Sequence, residues 1–274
     1  MLKHHQAPLR RLPRGFSLVG LLITMVCIVV LFSILMSSLN KVVTGEGSAV
    51  QGTVRSFQDE LALYGLFQSM AVHAAEDRNR FIVPSNIAAS RDISLDTTAN
   101  LFSAMVMQNY TVPRQLISGN EYSGYVEEYL EYDYTRYNPA AHEYWDPNFK
   151  ADLHDLSHVS YAHMPLFGKR LEKRWRSTFG NTFPLIGNRG PQDGVDNPQS
   201  RSYGRNQRWG GHAVFGDGHV QFFDTFTPVQ LYIEQDGQRY SDNMFAMESG
   251  PHGEDAILSF TKSMSAAGPE LQYD

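Results

Sequence analysis

Three histidines in the segment DLHDLSHVSYAH have the residue type and spacing of metal ligands. His154, His158 and His163 follow one another at spacings of four and five, with Asp152 and Asp155 beside them. On a helix His154 and His158 would share one face, as paired histidines of zinc sites do. The segment lacks the HExxH order, so the general-base glutamate of metalloproteases is missing. We expect exposed histidines here, and a metal-dependent enzyme is the alternative.

Possible oxygen ligands occur in the glycine- and proline-rich stretch PQDGVDNPQ. Asp193, Asp196 and Asn197 lie close together in it, and oxygen ligands at this density could hold calcium. The stretch lacks the length and the terminal glutamate of an EF-hand loop. Because Asp, Asn, Gly and Pro are also the residues of turns, we expect a turn and no cofactor. Calcium is the alternative at this loop.

Nucleophilic chemistry has no matching pattern in the sequence. The only cysteine, Cys27, lies inside a long apolar run, so no intramolecular disulfide can form. The sequence has no GxSxG elbow, and no phosphate-cradling glycine loop precedes a helix. We therefore expect the chain not to be an enzyme.

The charge is distributed unevenly along the chain. Four of the 23 basic residues precede Gly15, and the remaining 19 face 29 acidic residues. An acidic distal part is poorly suited to nucleic acid, which is bound by neutralising its phosphates. We expect no nucleic-acid partner.

A long apolar run follows the basic leader. No charged side chain occurs from Phe16 to Leu39. As a helix this run would extend for roughly 36 Å at about 1.5 Å per residue, enough for a hydrocarbon core of about 30 Å. It is too long for a cleavable signal core, and no convincing small-x-small site follows. The positive-inside rule places the leader in the cytoplasm and the rest outside. A buried core helix is the alternative.

The junction between leader and apolar run, RGFSLVGLLI, resembles the processing site of type IV prepilins and type II secretion pseudopilins. The resemblance implies cleavage by a prepilin peptidase between Gly15 and Phe16 and methylation of the new terminus at Phe16. It also implies other pilin or pseudopilin subunits as partners and a location in the bacterial inner membrane. The small Gly15 would let an enzyme approach the backbone closely.

The sequence departs from that family at one position. The fifth mature residue is usually glutamate and here is Gly20. A carboxylate at that depth costs about 2.5–3.5 kcal/mol on insertion scales, and it is tolerated when it meets the terminal amine of a neighbouring subunit. The departure favours a minor or tip subunit. A protein that is processed but never polymerises is the alternative.

An amphipathic helix is predicted beyond the membrane. From Val54 apolar residues recur every three or four positions, and the pattern ends near Arg80, before Pro84. Gly45, Gly47 and Gly52 weaken helix continuity before it. The recurring residues are Phe57, Leu61, Tyr64, Phe67, Met70 and Ala74. The stretch AEDRNRFIVPS also resembles the helix exit of a large bacterial pseudopilin-like group.

Two segments of opposite composition could form binding surfaces. Residues 121–149 crowd tyrosines among acidic residues, and Tyr-rich surfaces bind sugars or proteins when they are not simply packed. The segment GKRLEKRWRS is basic and could dock on a neighbour's acidic tyrosine segment, although a solvated helix face is the plainer interpretation. The tyrosines and the accompanying tryptophan are Tyr122, Tyr125, Tyr129, Tyr132, Tyr134, Tyr137, Tyr144 and Trp145.

The segment WGGHAVFGDGHVQFFD predicts a β-hairpin. His212 to Phe215 and His219 to Phe223 are strand-like, and the glycine-rich turn between them is expected to supply positive φ angles. The turn residues are Gly216, Asp217 and Gly218. This unit resembles the C-terminal strand-DG-strand motif of the same pseudopilin-like group.

Together these features predict an α+β protein in four parts. Residues 1–15 form the leader, 16–40 the transmembrane part of a long N-terminal helix, and 41–80 its extracytoplasmic part. That helix packs under a globular head, residues 81–274, with an antiparallel β-sheet. The expected function is that of a structural subunit of a type II secretion or type IV pilus-like assembly. A single-pass anchored binding protein with a Tyr-rich surface is the alternative.

Overall fold

The computed structural model of the chain describes residues 48–177, 180–195, 197, 209–235 and 237–274. The chain divides into two units, Met1–Val54 and Arg55–Asp274, and the fold below is that of the second unit. The predictions for Gly15, Phe16, Gly20 and the apolar run 16–40 lie outside the described residues. Asp196 also lies outside them. Within the described part of the chain, no helix combines the length and apolar character needed to span a bilayer.

The first described helix, α1, comprises Ser48–Glu76 and ends earlier than the sequence predicts. Arg78 and Asn79 have φ angles of 52° and 64°. The N–H of Asn79 donates to the carbonyl of Ala74 at 2.8 Å. This left-handed ending satisfies a helix-end carbonyl, so the chain leaves the helix before Arg80.

The buried face of α1 is only partly the predicted one. Phe67, Met70 and Ala74 are buried as expected, whereas Phe57, Leu61 and Tyr64 are 56%, 53% and 49% exposed. Over the same part of the helix the buried residues are Asp59, Leu63 and Leu66. Both series are spaced three or four apart, so periodicity alone could not show which of them faces the core.

Two further α-helices follow. Helix α2, Pro84–Ile87, begins with proline at its first turn, where the missing N–H costs no helical hydrogen bond. Helix α3, Thr98–Met107, is capped by the side chain of Thr97, which accepts from the N–H of Asn100. Leu101 to Met107 are all buried, and a helix that is buried nearly all round is a core helix. Short 3₁₀ segments occur at Ile93–Leu95, Pro113–Leu116, Tyr134–Arg136, Pro139–Ala141 and Gln192–Gly194, and a π-helical turn at Arg170–Arg174.

The strands form one four-stranded antiparallel sheet and two separate hairpins. The sheet has the order β1-β2-β3-β4, with strands Tyr161–His163, Pro184–Asn188, Gly211–Phe215 and Val220–Phe223. One hairpin is β5, Tyr232–Gln235, with β6, Gln238–Ser241. The other is β7, Phe260–Ser265, with β8, Gly268–Gln272. The helices and antiparallel sheets confirm the α+β class.

The core lies between α1, α3 and the sheet. Every residue of β1 and β3 is buried. Phe81 contacts Phe67 of α1 edge-on at a ring-centroid distance of 5.9 Å and Trp175 at 5.7 Å. The indole N–H of Trp175 donates to the carbonyl of Ile82 at 2.9 Å. These contacts hold the segment that follows α1 against Trp175.

Candidate functional site

The predicted hairpin corresponds to β3 and β4, with a turn of different geometry. His212 pairs with Phe222, and Val214 with Val220. Of the three turn residues only Gly218 has a positive φ, at 86°. The prediction of positive φ at Gly216 and Asp217 is therefore wrong. The backbone N–H of Gly218 donates to the carbonyl of Phe215 at 2.9 Å and closes the turn, and the carboxylate of Asp217 accepts in addition from the backbone N–H of His219.

Gly218 brings the hairpin against helix α1. A Cβ placed on Gly218 would lie 2.5 Å from Cε1 of Phe67. The imidazole of His219 stacks on Phe215 at a centroid distance of 4.5 Å. The turn therefore needs glycine for two reasons, its backbone angle and the close approach of an aromatic ring.

A buried polar cluster joins α1 to the sheet. Asp59 of α1 accepts from the Oη of Tyr161 at 2.8 Å and from the Nδ2 of Asn188 at 2.7 Å. Asn188 in turn accepts from the backbone N–H of His212 at 2.7 Å. Oγ of Ser56 lies 3.3 Å from Nε2 of His212. The sequence analysis missed this cluster. The available signal was Asp59, which lies four residues before Leu63 and therefore on the same side of the helix.

The role of this polar cluster is to orient helix α1 on the sheet. Ser56, His212 and Asp59 lie in one cluster, but the two carboxylate oxygens of Asp59 accept from Tyr161 and Asn188. An aspartate that orients a catalytic histidine instead accepts from that histidine's ring. Burial lowers the pKa of His212, against the opposing effect of Asp59. The neutral imidazole and the anchored carboxylate fix the angle of α1 on the sheet.

The three histidines considered as metal ligands lie in different surroundings, and the expectation that they are exposed is wrong for His158 and His163. His154 is exposed, and its backbone N–H donates to Asp152. His158 stacks on Tyr129 at a centroid distance of 4.5 Å. His163 is buried in β1, where burial lowers its pKa to about 4. The segment from His154 to His158 is not helical, so the shared helical face does not exist.

The stretch for which calcium was the alternative contains the expected turn. Asp193 lies in the 3₁₀ segment Gln192–Gly194 with a φ of 58°. Its backbone carbonyl accepts from Nδ2 of Asn243 at 2.9 Å. Among the described residues no group of three or more His, Cys, Asp or Glu side chains is arranged to hold a metal ion.

The basic segment 169–176, which we call the cationic turn, is fixed by one buried arginine. Arg170 forms a fully buried ion pair with Asp255 and also donates to the carbonyls of Gly250 and Pro251. Lys173 pairs with Glu254 at 2.9 Å with both side chains partly exposed. The guanidinium of Arg174 lies over the ring of Phe183 at 3.8 Å. The solvated helix face predicted for this segment is therefore wrong for Arg170, which serves as its anchor.

The tyrosine-rich segment forms a small groove, which we call the acidic tyrosine groove. It is an open depression of about 180 Å³, lined by residues 112–114, 128–130, 132 and 134. Tyr129 donates its hydroxyl to Asp146 at 3.1 Å, and Tyr132 donates to the carbonyl of Ser103 at 2.6 Å. Both tyrosines line the groove, although Tyr132 is buried. Leu130 at its edge is 82% exposed.

Comparison of this chain with family models, with curated proteins and with solved structures finds no match. The described residues therefore have to be interpreted from their own geometry. They present two surfaces: the acidic tyrosine groove and the outward side of α1. On that side Phe57, Leu61 and Tyr64 continue toward the exposed Val72. We call these four residues the α1 stripe.

Proposed function

We propose that this chain is a pseudopilin-like structural subunit, anchored by its N-terminal helix and processed between Gly15 and Phe16. Its function would be assembly with other subunits, in a type II secretion or type IV pilus-like machine of the bacterial inner membrane. The sequence of the junction, a basic leader followed by Gly-Phe-Ser and an apolar run, supports this assignment.

The single observation that carries the proposal is that α1 has two apolar sides. One side buries Leu63, Leu66 and Met70 in the head, and the other carries the α1 stripe in solvent. A helix needs only one apolar face to pack on its own domain. Contiguous apolar surface left in water marks an interaction site. The α1 stripe lies on the helix that follows the predicted membrane segment, where packing against a neighbouring subunit would bury it.

The proposal also assigns a specialised role within the assembly. Gly20 stands at the position where a glutamate would meet the terminal amine of a neighbour. Without that attraction, recruitment of a subunit depends on apolar packing and on contacts between heads. We therefore place the chain as a minor or tip subunit. Replacing Gly20 with Glu should increase its incorporation along a filament, and unchanged incorporation would remove this argument.

The processing step is tested by mass spectrometry of the full chain expressed with a prepilin peptidase. We expect a mature N-terminal peptide that begins at Phe16 and carries one additional methyl group. An intact Met1 in the presence of active peptidase would overturn the proposal and favour an anchored binding protein. A chain that begins beyond residue 40 would refute both, because the anchor would be lost.

The assembly step is tested by cysteine cross-linking in membranes. In a Cys27→Ser background, Leu61→Cys should form disulfide-linked dimers of processed chain. The matched control is Glu60→Cys. Glu60 is also exposed, but as the neighbour of Leu61 it lies about 100° away from it around the helix axis. Equal cross-linking at the two positions would contradict a contact made by the α1 stripe.

A further inference from the structure

The acidic tyrosine groove has room for one long side chain. Its volume is about 180 Å³, and an apolar cavity of about 150 Å³ is known to hold a benzene ring. Val112 and Tyr134 line it beside Leu130, and all three are largely exposed. The stem of a lysine or arginine can lie on such a surface while its charged head stays at the rim. A cation over a tyrosine ring gains further attraction.

The rim of the groove has unpaired negative charge. Arg114 lies 3.7 Å from Glu128 and Arg136 lies 3.4 Å from Asp133, in partly exposed pairs, so these two cations offset only two of the four acidic residues 127, 128, 131 and 133. Glu127 and Glu131 adjoin the lining residues Glu128, Leu130 and Tyr132 in the sequence. Both are exposed, and neither forms an ion pair within the part of the chain that the structure describes. The groove therefore attracts a cationic partner.

The chain itself carries a matching cationic feature. Lys169 is exposed and has no ion pair among the residues described. Lys173, four residues later, has only the partly exposed pair with Glu254, and pairs of this kind contribute little and exchange easily. The buried Arg170 holds the turn in place, so the two lysines project from a rigid support. A preorganised turn loses little freedom on binding.

We propose that the cationic turn of one copy docks in the acidic tyrosine groove of a second copy. Lys169 or Lys173 would place its stem along Leu130 and Tyr134, with the ammonium groups of the pair facing Glu127 and Glu131. Each copy carries both surfaces, and the two surfaces differ. The contact is therefore heterologous, with the turn of one copy meeting the groove of another. It is made by the heads and does not depend on the α1 stripe.

The test is carbodiimide cross-linking of the full chain in detergent, with unlabelled and ¹⁵N-labelled copies mixed. We expect mixed-isotope peptides that join Lys169 or Lys173 to Glu127 or Glu131. The Lys173–Glu254 link within one copy is the positive control. If that link forms while no mixed-isotope link joins the turn to the groove, the proposal is overturned.

Two charge variants make the test specific. Lys169→Glu with Lys173→Glu, and Glu127→Lys with Glu131→Lys, each remove one reacting group of the expected link, so neither variant alone should form it. Mixing the two variants should restore the link between copies, because Glu at 169 and 173 then faces Lys at 127 and 131 and the reversed charges are complementary. Failure of the mixture to restore the link would contradict the docking.

Two further outcomes distinguish self-docking from the binding of another polypeptide and from the proposed function. If a synthetic oligolysine peptide binds the groove but copies never link, the occupant is another polypeptide and self-docking is wrong. In Leu61→Ser we expect turn-to-groove links to persist even if the cysteine test of the α1 stripe fails, which distinguishes a failure of this proposal from a failure of the proposed function. Loss of the links in Leu61→Ser would show that the heads do not associate on their own.

Discussion

Gly218 offers the sharpest test of how the hairpin is joined to helix α1. We expect Gly218→Ala to destabilise the protein through two separate effects. A left-handed backbone costs a residue other than glycine about 1–2 kcal/mol. The new methyl group would also lie 2.5 Å from the Phe67 ring, and overpacking of this kind costs about 1–3 kcal/mol. The sum is about 2–5 kcal/mol, a large share of a typical stability of about 5–15 kcal/mol.

Gly237→Ala is the matched control. Gly237 also follows an aspartate in the sequence, has a φ of 75° in the β5–β6 hairpin, and would place its Cβ in open space. Only the backbone effect applies there, so we expect a cost of about 1–2 kcal/mol. The difference between the two variants isolates the contact with Phe67.

The assay is denaturant unfolding of the full chain followed by tryptophan fluorescence. The three tryptophans all lie in the second unit, and Trp175 and Trp209 are buried, so the signal reports on this unit alone. A Phe67→Ala background should remove most of the extra cost of Gly218→Ala, with a coupling of about 1–3 kcal/mol. Equal costs for Gly218→Ala and Gly237→Ala, or additive costs with Phe67→Ala, would refute the argument.

Two further predictions concern buried carboxylates near the cationic turn, measured by the same assay. Asp255→Asn should lower the free energy of unfolding by about 3–5 kcal/mol, because it leaves the Arg170 charge buried and unpaired. Glu254→Gln breaks only an exposed pair and should lower it by less than about 1 kcal/mol. Similar losses in the two variants would contradict this. Burial raises the pKa of Asp242 to about 7, so the folded protein retains a proton that the unfolded chain releases above about pH 4. Stability contributed by this group should therefore fall from about pH 4 to about pH 7, and Asp242→Asn should flatten that slope, while an unchanged slope would refute the assignment.

The α+β class and the hairpin were accessible from sequence because both depend on local rules. Alternation of apolar residues around Gly-Asp-Gly predicts two strands and a turn, and the structure has them at β3 and β4. The turn geometry was less accessible. Among the turn residues only Gly218 has a positive φ, and the turn is closed by the backbone N–H of Gly218, which donates to the carbonyl of Phe215.

Helix α1 shows where periodicity becomes insufficient. Phe57, Leu61 and Tyr64 have the spacing of a core face, and so do Leu63, Leu66 and Met70. Both series are apolar, so the pattern could not rank them. The tertiary structure decided between them through Asp59, which is held by Tyr161 and Asn188 and turns its side of the helix inward.

The histidines and the basic segment were misjudged for a related reason. A helical face for His154 and His158 required a helix that the loop from Ala151 to Ser160 does not form. The burial of Arg170 required Asp255, 85 residues away. Neither partner is visible from local composition, because contacts between distant segments exist only once the chain has folded.

The sequence by itself therefore determined the features that local chemistry sets. These are the charge asymmetry, the uncharged run after Gly15, the class of the fold and the position of the hairpin. Only the tertiary structure decided which face of α1 is covered, which cation of the turn is an anchor, and which tyrosines form a groove. The physical reason is that burial is a property of pairs of surfaces, and one segment of sequence describes only one surface of each pair.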